Sequence, residues 1–452
     1  MIQADLIKDI CQKEIQHDLY ATTINGISVY SILRRDIRMR ILKKNGIESM
    51  KIRMKVNKKA VARAAVESSW HLFKLFCRRR RYSTVFYAFP RVDKIHGVYL
   101  DKFTDAIIEQ CGLEDCMILD HGRAGIHPKP RLHSDKIVYW DLVHILSELY
   151  TKIACNGFAQ RHKEEFNQLS ESIEKAFGIA IDNHSMAFSF LKASMYIKGI
   201  QYILRHVSAK RIIGPARHTA FHIAAHQLGL KVFELQHGIT YGETLLYSGY
   251  RDPQVVPDKF LTYGENNPKD VYGIDEKNMI NIGWALWNYI DNLPQEVQFD
   301  ERDVLVVSDP VVTDAMLGVV KNIALAFPDI TFHFRPHPQE AISSQHMAII
   351  NSLPNVKLQD NQINITEVLR GVKYVVGEKS TVLYEALSEG KRVGHLFFEG
   401  LHPVYLKEED RDLFWEIRDK SSFYDFINSM DEKSNYSIFS PFNKEKFLEL
   451  LK

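Results

Sequence analysis

Two polar clusters that each close an apolar run hold the side chains best suited to chemistry. In TFHFRPHPQE, residues 331–340, Arg335 offers a planar fork of donors and His337 an imidazole. Pro336 and Pro338 flank that histidine, fixing φ twice and removing two backbone donors, so the corner is stiff and non-helical. In YVVGEKSTVLYEAL, residues 374–387, Ser380 and Thr381 open helix-forming sequence, where hydroxyls and free N–H groups can receive an anion. Lys379 would add a cation at the phosphate, and Glu385, one turn on, an acceptor for ribose hydroxyls. The chemistry implied is recognition of a phosphorylated, nucleotide-linked ligand. The blander alternatives are a strand terminator at the Pro-His-Pro corner and ordinary helix-start residues after it. GEKST lacks the glycine spacing of a Walker loop, which argues against ATP hydrolysis.

The first half of the chain carries its own clusters. KVFELQHG ends in Gln236-His237-Gly238, where glycine permits a tight turn or a close backbone approach and His237 titrates near neutrality. His237 is therefore the candidate base, with Gln236 and Gly238 beside the acceptor. FPRVDKIHGVYLDKFTDAI supplies Asp93, Asp101 and Asp105 as candidates for acceptor binding or for a base, and Asp101 and Asp105 serve equally well as helix caps. No Asp-x-Asp pair lies between the two halves, so no metal is expected.

Positioning these clusters requires strands that end at them. Short apolar runs alternate with helical segments from Ser83 onward: STVFYAF, CMILDHG, KIVYWD, RIIGP, KVFELQHG, KFLTYG and MINIG, then DVLVVSDP, TFHFRPHP, VKLQD, YVVGEKS and RVGHLFF. Alternation of this kind implies parallel sheets with right-handed crossovers, whose carboxyl edges bind ligands. The expected fold is α/β, with two Rossmann-like domains facing across a cleft. Expected divisions are a basic helical segment over 1–81, an acceptor domain over 82–290 with a helical pair inserted between Leu142 and Val207, a nucleotide domain over 300–425, and a helical tail over 426–452. The polar, proline-containing stretch from Asn288 to Asp300 is the expected linker.

A chain of 452 residues, 45% hydrophobic and 25% charged, can build two or three cored domains. A formal charge of +2 excludes a globally basic nucleic-acid binder, and the basic residues from Arg34 to Arg63 have no aromatics interleaved as base stacking would require. Ile32, Leu33, Ile37, Ile41 and Leu42 recur there at helical spacing, so that segment either lies on an anionic bilayer or packs on the body of the protein. Five scattered cysteines, no signal-like start and no run near the roughly 20 apolar residues of a membrane span point to the cytoplasm, with at most peripheral membrane contact.

FELQHGI, FRPHPQE and GEKSTVLYEAL, in that order, resemble bacterial glycosyltransferases of the two-Rossmann-domain B-type fold that build capsules and lipopolysaccharide. Capsule-type Kdo transferases are the most similar group, with sialyl- and polysialyltransferases and teichoic-acid glycerophosphotransferases further off. The resemblance runs from Ser83 to Leu401. It implies a CMP-linked sugar donor as co-substrate, a glycan or lipid-linked glycan as acceptor, and no other cofactor. It also implies that His337-Pro338 binds the cytidine nucleotide and Ser380-Thr381 its phosphate. The glycerophosphotransferases use a His-Gly histidine as base, matched by His237, although this chain has Gln-His-Gly in place of their tryptophan-containing motif. A retaining transferase would instead need a carboxylate nucleophile, for which Asp93, Asp101 and Glu243 are the candidates. Transfer of an alditol phosphate from a CDP donor, sugar-nucleotide epimerisation and a non-catalytic scaffold remain the alternatives.

Overall fold

The computed structural model describes the chain apart from residues 1, 47–56, 79, 90–91, 240–242, 266–271, 296, 310–311, 339, 362, 379, 399–407 and 431–435. Two compact units divide it: Met1–Val92 with Tyr99–Thr262 and Pro268–Ile280, and Asp93–Val98 with Tyr263–Asn267 and Asn281–Lys452.

The first unit opens with α1 (Ile2–Gln16), the hairpin β1 (Thr23–Ile24) and β2 (Ile27–Ser28), α2 (Val29–Lys44) and α3 (Lys58–Cys77). Then come β3 (Thr84–Tyr87), the hairpin β4 (Asp93–Ile95) and β5 (Val98–Leu100), whose residues 93–98 fall in the second unit, and α4 (Asp105–Cys111). β6 (Cys116–Asp120), β7 (Ile137–Tyr139), α5 (Asp141–Arg161), α6 (Lys163–Phe177), α7 (Asn183–His206), β8 (Arg211–Pro215), α8 (Thr219–His226), β9 (Lys231–Leu235), β10 (Lys259–Thr262) and β11 (Met279–Asn281) complete it. The sheet order is β11-β10-β9-β8-β3-β6-β7. Numbered in chain order, the strands run 3-2-1-4-5-6 with one more at the edge, which is the doubly wound Rossmann arrangement. β3 and β6 are buried along their whole length, as strands covered by helices on both faces must be.

Three helices occupy the interval where a pair was expected. Gly178, left-handed at φ 60°, ends α6 and Asp182 caps α7 through the Ser185 N–H, whereas α5 breaks into α6 at His162 with neither glycine nor proline to mark it. The amino-terminal helices are part of this unit and not a separate segment. Leu33, Ile37, Ile41 and Leu42 of α2 are buried in one core with Val85, Met117 and Phe190, so its apolar stripe is not free to meet a bilayer. Among the described residues no helix is long and apolar enough to cross a membrane.

The second unit contains α9 (Ala285–Asp291), β12 (Val304–Val307), α10 (Thr313–Ala326), β13 (Phe332–Arg335), α11 (Ser344–Asn351), β14 (Val356–Leu358), α12 (Ile365–Gly371), β15 (Tyr374–Gly377), α13 (Thr381–Ser388), β16 (Arg392–Leu396), β17 (Trp415–Ile417), α14 (Lys420–Asn428) and α15 (Lys444–Leu450). Its all-parallel sheet, β14-β13-β12-β15-β16-β17, repeats the order 3-2-1-4-5-6. The strands carrying the two polar clusters are therefore not neighbours. β12 lies between them, with Val307 in register with both Arg335 and Gly377. The chain passes into this unit before the expected linker, since α9 already belongs to it. Its tail is not separate either: Phe423, Phe426 and Ile427 enter the core, and Phe439 stacks on Trp284 with centroids 5.6 Å apart.

Candidate functional site

Each sheet has a switch point where the crossovers diverge, and polar strand ends gather there. In the second unit it lies between β12 and β15. Ser308, at the end of β12, donates its hydroxyl to Glu340 Oε1 at 3.0 Å, and Thr313 at the start of α10 donates to the same oxygen at 2.6 Å. Glu340 Oε2 accepts the His337 N–H at 2.8 Å. One carboxylate thus ties β12, α10 and the Pro-His-Pro corner together, with Pro336 buried, His337 half-buried and Pro338 exposed. Sequence reasoning passed over Glu340, although its place in PHPQE, just past a strand end, is the signal that marks it.

Arg335 is buried and donates to the carbonyls of Asp360 at 3.3 Å and Ile363 at 2.6 Å, so it holds the loop entering α12 as well as supplying charge. Burial pushes its guanidinium down to about 10, against the pull of Asp93, and it stays cationic at neutral pH. Asp93, expected on the acceptor side, belongs to this unit and its field acts on Arg335. Ser380 caps α13, its hydroxyl accepting the Val382 N–H at 3.2 Å. A hydroxyl that accepts can still donate, so capping leaves Ser380 one donor for an anion. Thr381 and Glu385 are half-buried on the first turns of α13, and Lys379 lies outside the described residues.

In the first unit the switch point lies between β3 and β8. Gly214 is required there because a Cβ would come within 2.5 Å of the Tyr87 ring. Tyr87 hydroxyl sits 3.0 Å from His222 Nε2, while His222 Nδ1 lies 2.6 Å from the Val255 carbonyl. The carbonyl contact needs the proton on Nδ1, so Tyr87 donates to Nε2 of a neutral imidazole. Burial pushes His222 down to about 3.

Nearby, His121 past β6, His144 on α5 and His218 before α8 gather around Tyr196 and Trp140. Ring centroids are 4.6 Å apart for His144–Tyr196 and Trp140–Tyr196, 6.1 Å for His218–Tyr196 and 5.9 Å for His121–His144. All three histidines are half-buried. Burial, then the charge of His121, hold His144 and His218 at about 4, and burial lowers His121 as well. His218 Nδ1 and Trp140 Nε1 are buried without a hydrogen-bond partner among the described residues. No three His, Cys, Asp or Glu side chains among the described residues are placed to hold a metal. Neutral imidazoles beside aromatic rings offer donors and acceptors without net charge, which suits sugar hydroxyls. The sequence signal was that His121 and His218 are early polar residues after the runs CMILD and RIIGP.

His237 stands exposed past β9, its ring 4.4 Å from Phe89 and 5.4 Å from Phe103. Gln236 is buried and braces the turn, donating to Tyr272 hydroxyl at 2.9 Å and the Gly238 carbonyl at 3.3 Å. Gly238 has open space where a Cβ would stand, so close approach and not a strained turn is what it permits. Asp101 is fully buried: it accepts the N–H of Phe89 at 3.0 Å and Phe103 at 3.1 Å and the Thr104 hydroxyl at 2.8 Å. Those bonds brace the turn before α4, whose cap residue is Thr104 and which has no side-chain cap bond, and burial leaves an acceptor no exposed surface on Asp101. Burial, with Asp105 adding, pushes Asp101 up to about 7; burial pushes Asp105 up to about 6 against Arg131. Glu243 is half-buried and its charge reaches Cys11. The loop after it is gripped by Arg38 of α2, which donates to Leu245 carbonyl at 2.9 Å and Ser248 carbonyl at 3.0 Å.

No protein-family model matches the sequence. An uncharacterised protein of Methanocaldococcus jannaschii is 24% identical over 183 residues, 38% of this chain, and the chain spans about a third of that relative's length, 33%. Among solved structures, the UDP-GlcNAc 2-epimerase of Methanocaldococcus jannaschii is similar with a TM-score of 0.48 and 11% identity over 82% of this chain and 99% of the other. A putative UDP-N-acetylglucosamine 2-epimerase of Listeria monocytogenes gives 0.48 and 11% over 81% and 95%, and the glycosyltransferase SnogD of Streptomyces nogalater 0.42 and 12% over 77% and 92%. The fold assignment rests on the strand orders, to which these distant likenesses add nothing.

Proposed function

We propose that the chain is a metal-independent glycosyltransferase that moves a sugar of the Kdo or sialic-acid type from a CMP-linked or other nucleotide donor to a bacterial surface polysaccharide or lipopolysaccharide. What supports this most is the gathering of the His337–Pro338 corner, Glu340 and the Ser380 helix start at one switch point. The nucleotide lies against the corner, Glu385 accepts from its ribose, and the first turn of α13 holds the phosphate through N–H groups, the Ser380 hydroxyl and the helix dipole. The acceptor glycan binds the first unit at His121, His144 and His218. As the bond from the sugar's anomeric carbon to the phosphate oxygen breaks, the acceptor oxygen bonds to that carbon. His237 takes the acceptor's proton and the nucleotide leaves with the bonding pair.

The test is donor turnover with candidate nucleotide sugars and glycan acceptors. His337→Ala and Ser380→Ala each lower kcat/KM by about tenfold or more, equivalent to about 1.4 kcal/mol. Unimpaired transfer by both variants removes the nucleotide assignment, and an isomerised donor formed without acceptor identifies an epimerase instead.

A further inference from the structure

Helices α3, α5 and α7 keep large apolar side chains out of the core. Val66, Trp70 and Phe73 are 70%, 55% and 59% exposed, and their spacing of four and then three residues puts them on one face of α3. On α5, Leu146 and Ile153, seven residues apart, are 54% and 85% exposed, and Tyr202 of α7 is 63% exposed. α3 packs beside α5 and α5 beside α7, and Phe76 of α3 meets Tyr202 with centroids 5.1 Å apart. The Trp70 and Phe73 rings stack at 5.9 Å, and Lys74 Nζ lies 4.7 Å over Trp70.

The charge beside this surface is mainly positive, since Glu148 of α5 is paired with Lys152 and Lys192. Residues 58–81 contain eight Lys or Arg and a single acid, Glu67. Glu67 is already paired, 3.3 Å from both Arg63 and Lys129. Two copies of so basic a face would repel each other, whereas a tryptophan and phenylalanine flanked by cations match the boundary of an anionic bilayer.

We propose that this face of the first unit seats on an anionic lipid surface, with Trp70, Phe73 and Ile153 entering the headgroup layer and the α3 cations meeting lipid phosphates. α3 and α5, not the buried stripe of α2, carry the contact. The proposal does not rest on the transferase reading, because it is tested by binding alone.

The experiment is co-sedimentation of the full chain with vesicles of phosphatidylcholine, with and without phosphatidylglycerol. The chain sediments with the phosphatidylglycerol vesicles, less so at high salt, and tryptophan emission shifts to the blue on binding. Trp70→Glu with Phe73→Glu, and separately Ile153→Glu, weaken binding by roughly tenfold or more while leaving the thermal melt unchanged. Three results overturn the proposal: no sedimentation with phosphatidylglycerol vesicles, binding indifferent to these substitutions, or a dimer in solution that the substitutions dissociate.

Discussion

Glu340 gathers three donors from three different segments of the second unit, and its removal takes away the acceptor they share, with Thr313 keeping the Asp309 carbonyl at 3.2 Å. Glu340→Ala is expected to cost about 1–3 kcal/mol in chemical denaturation and to weaken nucleotide binding, since the His337 corner loses its anchor. An unchanged denaturation midpoint would contradict the anchoring role. The histidines set a pH dependence. His222 is held at about 3 and His144 and His218 at about 4, all below their unfolded value. Between that depressed range and about 6.5 the unfolded chain binds more protons, so their stabilisation is complete above 6.5 and is lost as pH falls. Asp101 and Asp105, raised to about 7 and about 6, act in the opposite sense, because the folded chain keeps their protons as pH rises above the ordinary carboxylate range. With His71, His121 and His133 also lowered, six imidazoles outweigh the raised Asp101, Asp105, Glu234 and Glu389 and the raised His226, and the melting temperature is lower at pH 5 than at pH 7. His144→Gln with His218→Gln flattens that slope in calorimetry; an unaltered slope would refute the assignment.

Among the elements, α2 shows how a basic stretch can be interior. Arg38 and Glu14 are both fully buried and paired through two hydrogen bonds, of 2.6 and 2.7 Å, with the hydroxyls of Tyr30 and Tyr20 also donating to the carboxylate at 2.7 and 2.8 Å. Burial alone would raise Glu14, but the hydrogen bonds and charge of Arg38 hold it low. Arg38→Met leaves that carboxylate with the two tyrosine hydroxyls and Arg34 at 3.9 Å, and loosens the loop from Thr244 to Ser248, which Arg34 still holds at the Ser248 carbonyl; the cost is about 3–5 kcal/mol, and adding Glu14→Leu recovers part of it. Equal destabilisation in the single and double variants would contradict the account. Periodicity revealed α2 and its apolar face, yet nothing local distinguishes a bilayer from a neighbouring helix as the partner of that face. The Arg38–Glu14 pair bridges separate helices for the same reason invisibly. α3 is the converse case: its Trp70 and Phe73 are ordinary core residues by type, and only packing reveals that they face outward.

For the whole molecule, the apolar runs named strand positions because parallel strands buried on both faces leave long β-branched stretches in the sequence. Their order was not legible, since crossovers insert β12 between the strands of the two clusters. The Ser380 helix start and the His337 corner were visible as local chemistry, whereas His121, His144 and His218 are spread over nearly a hundred residues and meet only through the fold. Both units repeat one doubly wound order, which puts a polar edge on each, and the second carries the corner and helix start assigned to the donor. The most direct test is therefore nucleotide binding by the purified chain, followed as a shift in melting temperature. CMP or CDP at about 100 times its Kd should stabilise the chain by roughly 2.7 kcal/mol, with UDP and ADP weaker and the shift reduced in Ser380→Ala. Stabilisation by none of the four, or a shift indifferent to both His337→Ala and Ser380→Ala, would contradict the nucleotide site on which the proposal stands.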